Sequence, residues 1–174
     1  MSQTSYQNFP DAAREGFLAD SAIVRDIVSR ISEEAASPFV PFGKLVVATT
    51  GQSEKLAKLP TAAADITTAG IVHGVAMADT SKETPKGATF GYYAENDAIP
   101  CVRKGRIWVV SEDEVTDLDQ GVYVRFQNPG GSPPDASLGS FAAAAGADYA
   151  LLAGARWRTR TTGTFGLAIV ELDL

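Results

Sequence analysis

Ile99-Pro-Cys-Val-Arg-Lys-Gly-Arg-Ile-Trp-Val-Val110 decides the fold class of this chain. Two apolar runs, Ile99–Val102 and Arg106–Val110, flank Arg103-Lys104-Gly105, a turn short enough for a hairpin with Gly105 at positive φ. The spacing predicts strands over 98–103 and 106–111 joined by that turn. Working outward, the same texture recurs from Phe42 onward: short Val- and Ile-rich runs broken by Gly, Pro, Asn and Asp. Further strands are expected over 44–49, 70–78, 121–126, 155–160 and 165–172. Val122, Val124 and Phe126 alternate with Tyr123, Arg125 and Gln127, the pattern of a half-buried strand. In the last run Phe165, Leu167 and Ile169 lie on one face and Ala168, Val170 and Leu172 on the other. A strand apolar on both faces is either central or packed against another subunit. Asn128-Pro-Gly-Gly-Ser-Pro-Pro-Asp135 is a loop. Phe141–Leu152 is alanine-rich and helical by propensity, but its glycine and its place between strands argue against a regular helix.

These runs predict a mainly β chain: a β-barrel or sandwich domain over 42–174, with at most one or two short helices. Residues 1–41 are expected to form an extended N-terminal arm and a short helical or extended connection. The stretch Met1–Asp20 is polar, without a sustained period, and carries Tyr6, Phe9 and Phe17. Aromatic side chains on an arm gain stability by docking. The sequence leaves open whether they dock on another protein or on their own core. In Ser21–Glu34, Ile23, Val24, Ile27, Val28 and Ile31 recur at helical spacing. Ser21 is a candidate cap and Pro38 a limit. The same β-branched residues equally permit an extended connection.

With 174 residues and 45% hydrophobic content, the chain is long enough for one domain with a sizeable core. Its net charge of -6 argues against nucleic acid as a partner, since phosphate binding calls for a basic surface. No apolar run approaches the roughly 20 residues of a membrane-spanning helix, so no membrane partner is expected. The polar start lacks a basic-then-apolar export pattern. The single cysteine, Cys101, precludes an intrachain disulfide and suits a reducing cytoplasm.

Residues that carry chemistry are sparse. One histidine, His73, and one cysteine show no ligand spacing, so no metal, cofactor or catalytic residue is expected. Glu112-Asp113-Glu114, with Asp117 and Asp119, lacks the glycine and spacing of a calcium loop and reads as a solvated turn. No nucleophile elbow, phosphate-binding loop or dinucleotide fingerprint occurs. One pattern stands out, Ala155-Arg-Trp-Arg-Thr-Arg160. Strand alternation puts Arg156, Arg158 and Arg160 on one face, with Trp157 and Thr159 on the other. A row of like charges calls for acidic neighbours, either in a paired strand, with Glu112–Asp119 one candidate, or on a neighbouring protein. Arginine's planar fork suits such interfaces. Arg156, Arg158, Arg160 and Trp157 are therefore the candidate subunit-interface residues.

Several blocks, in order along the chain, resemble the bacteriophage structural cement (capsid decoration) proteins. They are Tyr6-Gln-Asn-Phe-Pro-Asp-Ala-Ala-Arg-Glu-Gly-Phe-Leu-Ala-Asp20, Pro41-Phe-Gly43, Arg103-Lys-Gly-Arg-Ile-Trp-Val109, Val122-Tyr-Val-Arg-Phe126 with Asn128-Pro-Gly130, Gly154-Ala-Arg-Trp157, and Gly166-Leu-Ala-Ile-Val-Glu-Leu172. The resemblance implies a protein of the virion, made in the host cytoplasm, that binds the outer capsid surface and bridges neighbouring major capsid protein subunits. It also implies a homo-oligomer, commonly a trimer, and an arm that binds the capsid through Tyr6, Phe9, Pro10 and Phe17. Two stretches depart from the pattern: Phe141–Tyr149 is richer in alanine, and Ser81–Thr89 reads as a polar insertion. The competing readings are a phage tail-associated or receptor-binding β module, a small hydrolase with a cryptic site, and a host-derived β-barrel of unrelated role.

Overall fold

The computed structural model of the chain describes residues 14–19, 26–35, 39–49, 55–68, 70–79, 91–128 and 138–174. In chain order its strands are β1 (Asp26–Ser32), β2 (Val40–Pro41), β3 (Leu45–Ala48), β4 (Leu56–Lys58), β5 (Val72–Ala76), β6 (Tyr92–Tyr93), β7 (Ala98–Ser111), β8 (Tyr123–Arg125), β9 (Phe141–Ala142), β10 (Tyr149–Leu151), β11 (Ala155–Trp157) and β12 (Gly166–Asp173). One short helix, α1 (Ala63–Thr67), follows β4. The chain is mainly β, as its turn-punctuated apolar runs imply.

The hairpin expected at Arg103-Lys104-Gly105 does not form. β7 runs without a break for 14 residues through that tripeptide. Gly105 does take a positive φ, 129°, but the strand carries on past it. The reason lies in its partners. The first half of β7 pairs with β1 (Asp26↔Lys104 through Ile31↔Ala98) and with β5 (Val75↔Val102, Ala76↔Cys101). The second half pairs with β12, from Gly166↔Ser111 to Asp173↔Lys104. Each half is satisfied by other strands, so it has no need to fold back on its neighbour. The register shift at Asp26/Ile27 marks the hand-over between partners.

Two cores result. Pairings β1–β4, β4–β3, β3–β5, β5–β7 and β7–β1 return to their starting strand. All five strands contribute to one cluster: Val28, Ala57, Val46, Ala76, Ile99 and Cys101, closed by Val40, Leu59, Phe42 and Tyr93. The alternate residues Leu45, Val47, Val75 and Val102 face the other way, into a larger core with Ile107, Val109, Val124, Phe141, Trp157, Ala168, Val170 and Leu172. A period of two therefore serves two cores from one strand, which is why β3 and β5 are buried on both faces. Ile66 anchors α1 on the larger core.

Three segments that the sequence leaves open take definite form. The helical spacing of Ser21–Glu34 does not yield a helix over Asp26–Ser32, which is strand β1. Pairing with β7 over six positions outweighs the weak helix propensity of its β-branched residues. β1 thus joins the large sheet from within the segment assigned to arm and connection. The alanine-rich Phe141–Leu152 forms β9 and β10 with a turn between them. Phe165–Leu172 is central in its part of the sheet, lying between β7 and β11. The loop residues 129–135, the insertion 81–89, and Tyr6, Phe9 and Pro10 of the arm lie outside the described residues.

Candidate functional site

Where the arm joins the domain, residues 14–19 lie along β7. Gly16 N donates to Trp108 O, Trp108 N donates to Phe17 O, and Ala19 N donates to Arg106 O, each at 2.8–2.9 Å. Two residues thus oppose one, with Gly16 at φ 83°, a bulge that only glycine adopts without strain. Leu18 bridges to Ile107 and packs on the larger core. The neighbouring Phe17 is therefore left on the outer face, 36% exposed. Glu15 fastens this strap through a buried 2.8 Å ion pair with Lys44 Nζ.

The strand alternation then builds one outer face across the strap, β7, β12 and β11. On β7 the outward residues are Arg106, Trp108 and Val110, all half-buried, while Ile107 and Val109 are buried. On β12 they are Leu167, Ile169 and Glu171. The registers Leu167↔Val110 and Ile169↔Trp108 make an apolar half, flanked by Phe17. The registers Glu171↔Arg106 and Glu171↔Arg156 make a basic half. Glu171 Oε2 accepts from Arg106 Nε at 2.6 Å, and Arg158 donates to both of its oxygens at 2.6 and 3.0 Å. Hydrogen bonds from Arg158 and then Arg106 pull the Glu171 carboxyl down to about 2. Beside this triad Arg156 and Arg160 are exposed, and among the described residues no carboxylate pairs with either.

Phe17, Arg156 and Arg158, read separately from the sequence, thus fall on one face. Arg160 lies past the end of β11. Trp157 does not join them: it is 1% exposed, packs in the larger core and donates its indole N–H to Gly121 O at 3.1 Å. Its side chain is used inside its own domain and is not available to a neighbouring chain. The acidic partner of the arginine row is Glu171 on the paired strand, rather than a residue of Glu112–Asp119.

Glu112 also departs from the solvated-turn reading. It is 5% exposed and takes three contacts from Arg125, at 3.0, 3.0 and 2.5 Å. Tyr149 Oη donates to the same carboxylate at 2.6 Å, and the Arg125 guanidinium lies 4.5 Å from the Tyr149 ring centre. Burial and this carboxylate push the Tyr149 hydroxyl well above its usual range. The rest of the run does project outward as a turn. Thr116, Asp117, Leu118 and Asp119 are exposed. Gln120 Oε1 holds their backbone in shape, accepting from Thr116 N at 2.8 Å and Asp117 N at 2.9 Å.

The remaining chemistry is structural. His73 is buried, accepts from Arg30 Nε at 3.2 Å, and is held below its usual range by burial and then by Arg30. The Cys101 thiol is pushed up to about 12 by burial. Among the described residues no group of His, Cys, Asp and Glu could hold a metal ion. No described helix is long and apolar enough to cross a membrane.

The sequence reading missed the outer apolar row and Glu171. Their signal was present in Arg106, Trp108 and Val110, which oppose residues of the terminal run already seen to be apolar on both faces.

Comparison with known proteins adds an independent line. The family model described as structural cement protein (E217 gp24/Pam3 gp6) matches residues 2–173. No curated protein matches. Among solved structures, a chain from the capsid of Myoviridae phage XM1 is 13% identical, with a TM-score of 0.66 over 99% of this chain and 97% of that one. That likeness is one of fold.

Proposed function

This chain belongs to the phage structural cement protein family, and from that premise we propose that it binds the outer surface of a tailed-phage head and bridges neighbouring major capsid protein subunits. A capsid-associated structural role follows from the family itself. The single observation that carries the finer reading is the outer face in which the root of the aromatic arm and the arginine row meet. Aromatic anchors and arginines are the residue types that concentrate binding energy at interfaces. The arm residues Tyr6, Phe9, Pro10 and Phe17 bind the capsid in this reading. Arg156, Arg158 and Arg160 face a neighbouring copy in a homotrimer. The protein acts without catalysis: it adds interface free energy that rupture of a shell under internal pressure must overcome. A trimer engages several sites at once, so modest contacts multiply.

Cosedimentation of the full chain and of a chain lacking residues 1–13 with assembled heads tests this. The shortened chain keeps the Glu15–Lys44 strap and is expected to stay folded while binding is lost. Undiminished binding by the shortened chain refutes the role of Tyr6, Phe9 and Pro10.

A further inference from the structure

We infer that the mixed face of β7, β12 and β11 receives the acidic turn Thr116–Asp119 of a second copy of this chain. The inference rests on the homo-oligomer reading above and supplies its contact surface. Three observations carry it. First, the basic half of the face presents Arg156 and Arg158 beside Glu171, on a chain whose net charge is -6. Arg156 and the nearby Arg160 are left without a carboxylate among the described residues. Second, the apolar half places Trp108, Val110, Leu167 and Ile169 beside those arginines, all half-buried, with Phe17 at the margin. Third, the chain itself carries the matching chemistry. Leu118, 40% exposed, stands at the tip of the turn between Asp117 and Asp119, both exposed.

The turn is shaped before it binds. Gln120 Oε1 accepts from two successive backbone N–H groups, and Glu112, at its base, is fixed by Arg125 and Tyr149. A preorganised loop loses little entropy on docking. An aliphatic tip between two carboxylates complements an apolar patch bordered by guanidiniums. The aliphatic contact contributes affinity, and the charges set register and exclude other orientations. Repeated in one direction from chain to chain, the contact of face with turn is heterologous. Heterologous contacts between identical chains close into rings when the rotation permits, which accords with a trimer.

The test is a charge exchange read by sedimentation velocity on the full chain. Arg156 and Arg160 are exposed and unpaired among the described residues, and Asp117 and Asp119 lie on an exposed turn. Neither change removes a buried contact. The face variant R156E/R160E and the turn variant D117K/D119K are each expected to raise the self-dissociation constant about tenfold or more, since like charges then oppose. The chain carrying all four substitutions is expected to regain self-association. Circular dichroism verifies that every variant is folded. Single-side variants that associate as wild type, or a combined variant that fails to recover, overturn the inference. A wild-type chain that binds heads yet stays monomeric also overturns it while leaving the capsid reading intact. A wild-type chain that associates as described but ignores heads refutes the capsid reading instead.

Discussion

Replacing Glu112 by Gln tests how the acidic turn is anchored. Glu112 sits at the end of β7, 5% exposed, and Arg125, 6% exposed, donates to it three times. The substitution keeps the shape of the side chain and removes its charge. One amide oxygen remains to accept, and an amide N–H₂ now faces the guanidinium and the Tyr149 hydroxyl. Summing three charge-assisted hydrogen bonds at about 1.5–3 kcal/mol each would overcount, because they share one carboxylate. Arg125 keeps a 4.0 Å contact with Asp148 and its bond to Gln127 O, and the relevant magnitude is that of breaking its buried hydrogen-bonded pair, about 3–5 kcal/mol. With a urea slope of about 2 kcal/mol per molar, the midpoint should fall by roughly 1.5–2.5 M. Fluorescence reports the transition, because Trp157 is buried in the same core. The companion variant Glu112→Leu with Arg125→Met removes both charges and should recover most of the loss. A fall of less than about 0.5 M for Glu112→Gln alone, or no recovery in the double variant, would refute the reasoning that breaking the buried pair dominates.

Three further outcomes are expected. Glu171 is held down to about 2 by Arg158 and Arg106, so its stabilisation is fully present above its ordinary pKa near 4.5 and is lost as pH falls through about 2. The shift would convert to about 3 kcal/mol if buried, and solvent screening at this part-exposed site reduces it to about 1. Acid unfolding of Glu171→Gln should therefore show a shallower loss of stability below pH 5 than wild type, by that amount. Gly43→Ala should lower stability by about 2 kcal/mol or more on thermal melting: the residue has φ +74° and a Cβ would stand 2.0 Å from Glu15 Cγ, against the strap. Trp157→Phe keeps much of the packing but forfeits the indole bond to Gly121 O, and urea titration should register a cost of about 1–3 kcal/mol with self-association unchanged.

Much of the β character was legible because period-two alternation and turn residues are local signals. The strands over 44–49, 70–78 and 165–172 appear within a residue or two of their expected limits as β3, β5 and β12. The hairpin at Gly105 was misread because a glycine at positive φ serves a turn and a bend in a continuous strand equally well. Which one forms depends on strands β1, β5 and β12, far away in sequence. β1 was ambiguous for a similar reason: its β-branched residues carry little preference of their own, and the edge of β7 decides. Strand alternation placed the arginines outward, but not their partner. Glu171 faces them only because β11 and β12 pair in one particular register. Glu112 looked solvated because its two acidic neighbours are polar too. Its burial comes from Arg125 and Tyr149, which lie 13 and 37 residues away.

The central claim is adhesion to an assembled shell, and cosedimentation of the purified chain with mature heads, at increasing salt, measures it most directly. Saturable pelleting in proportion to the shell protein, weakening as salt screens the arginine contacts between copies and so lowers their avidity for the shell, is the expected result. A chain that stays in the supernatant at every ratio of protein to heads would contradict the account.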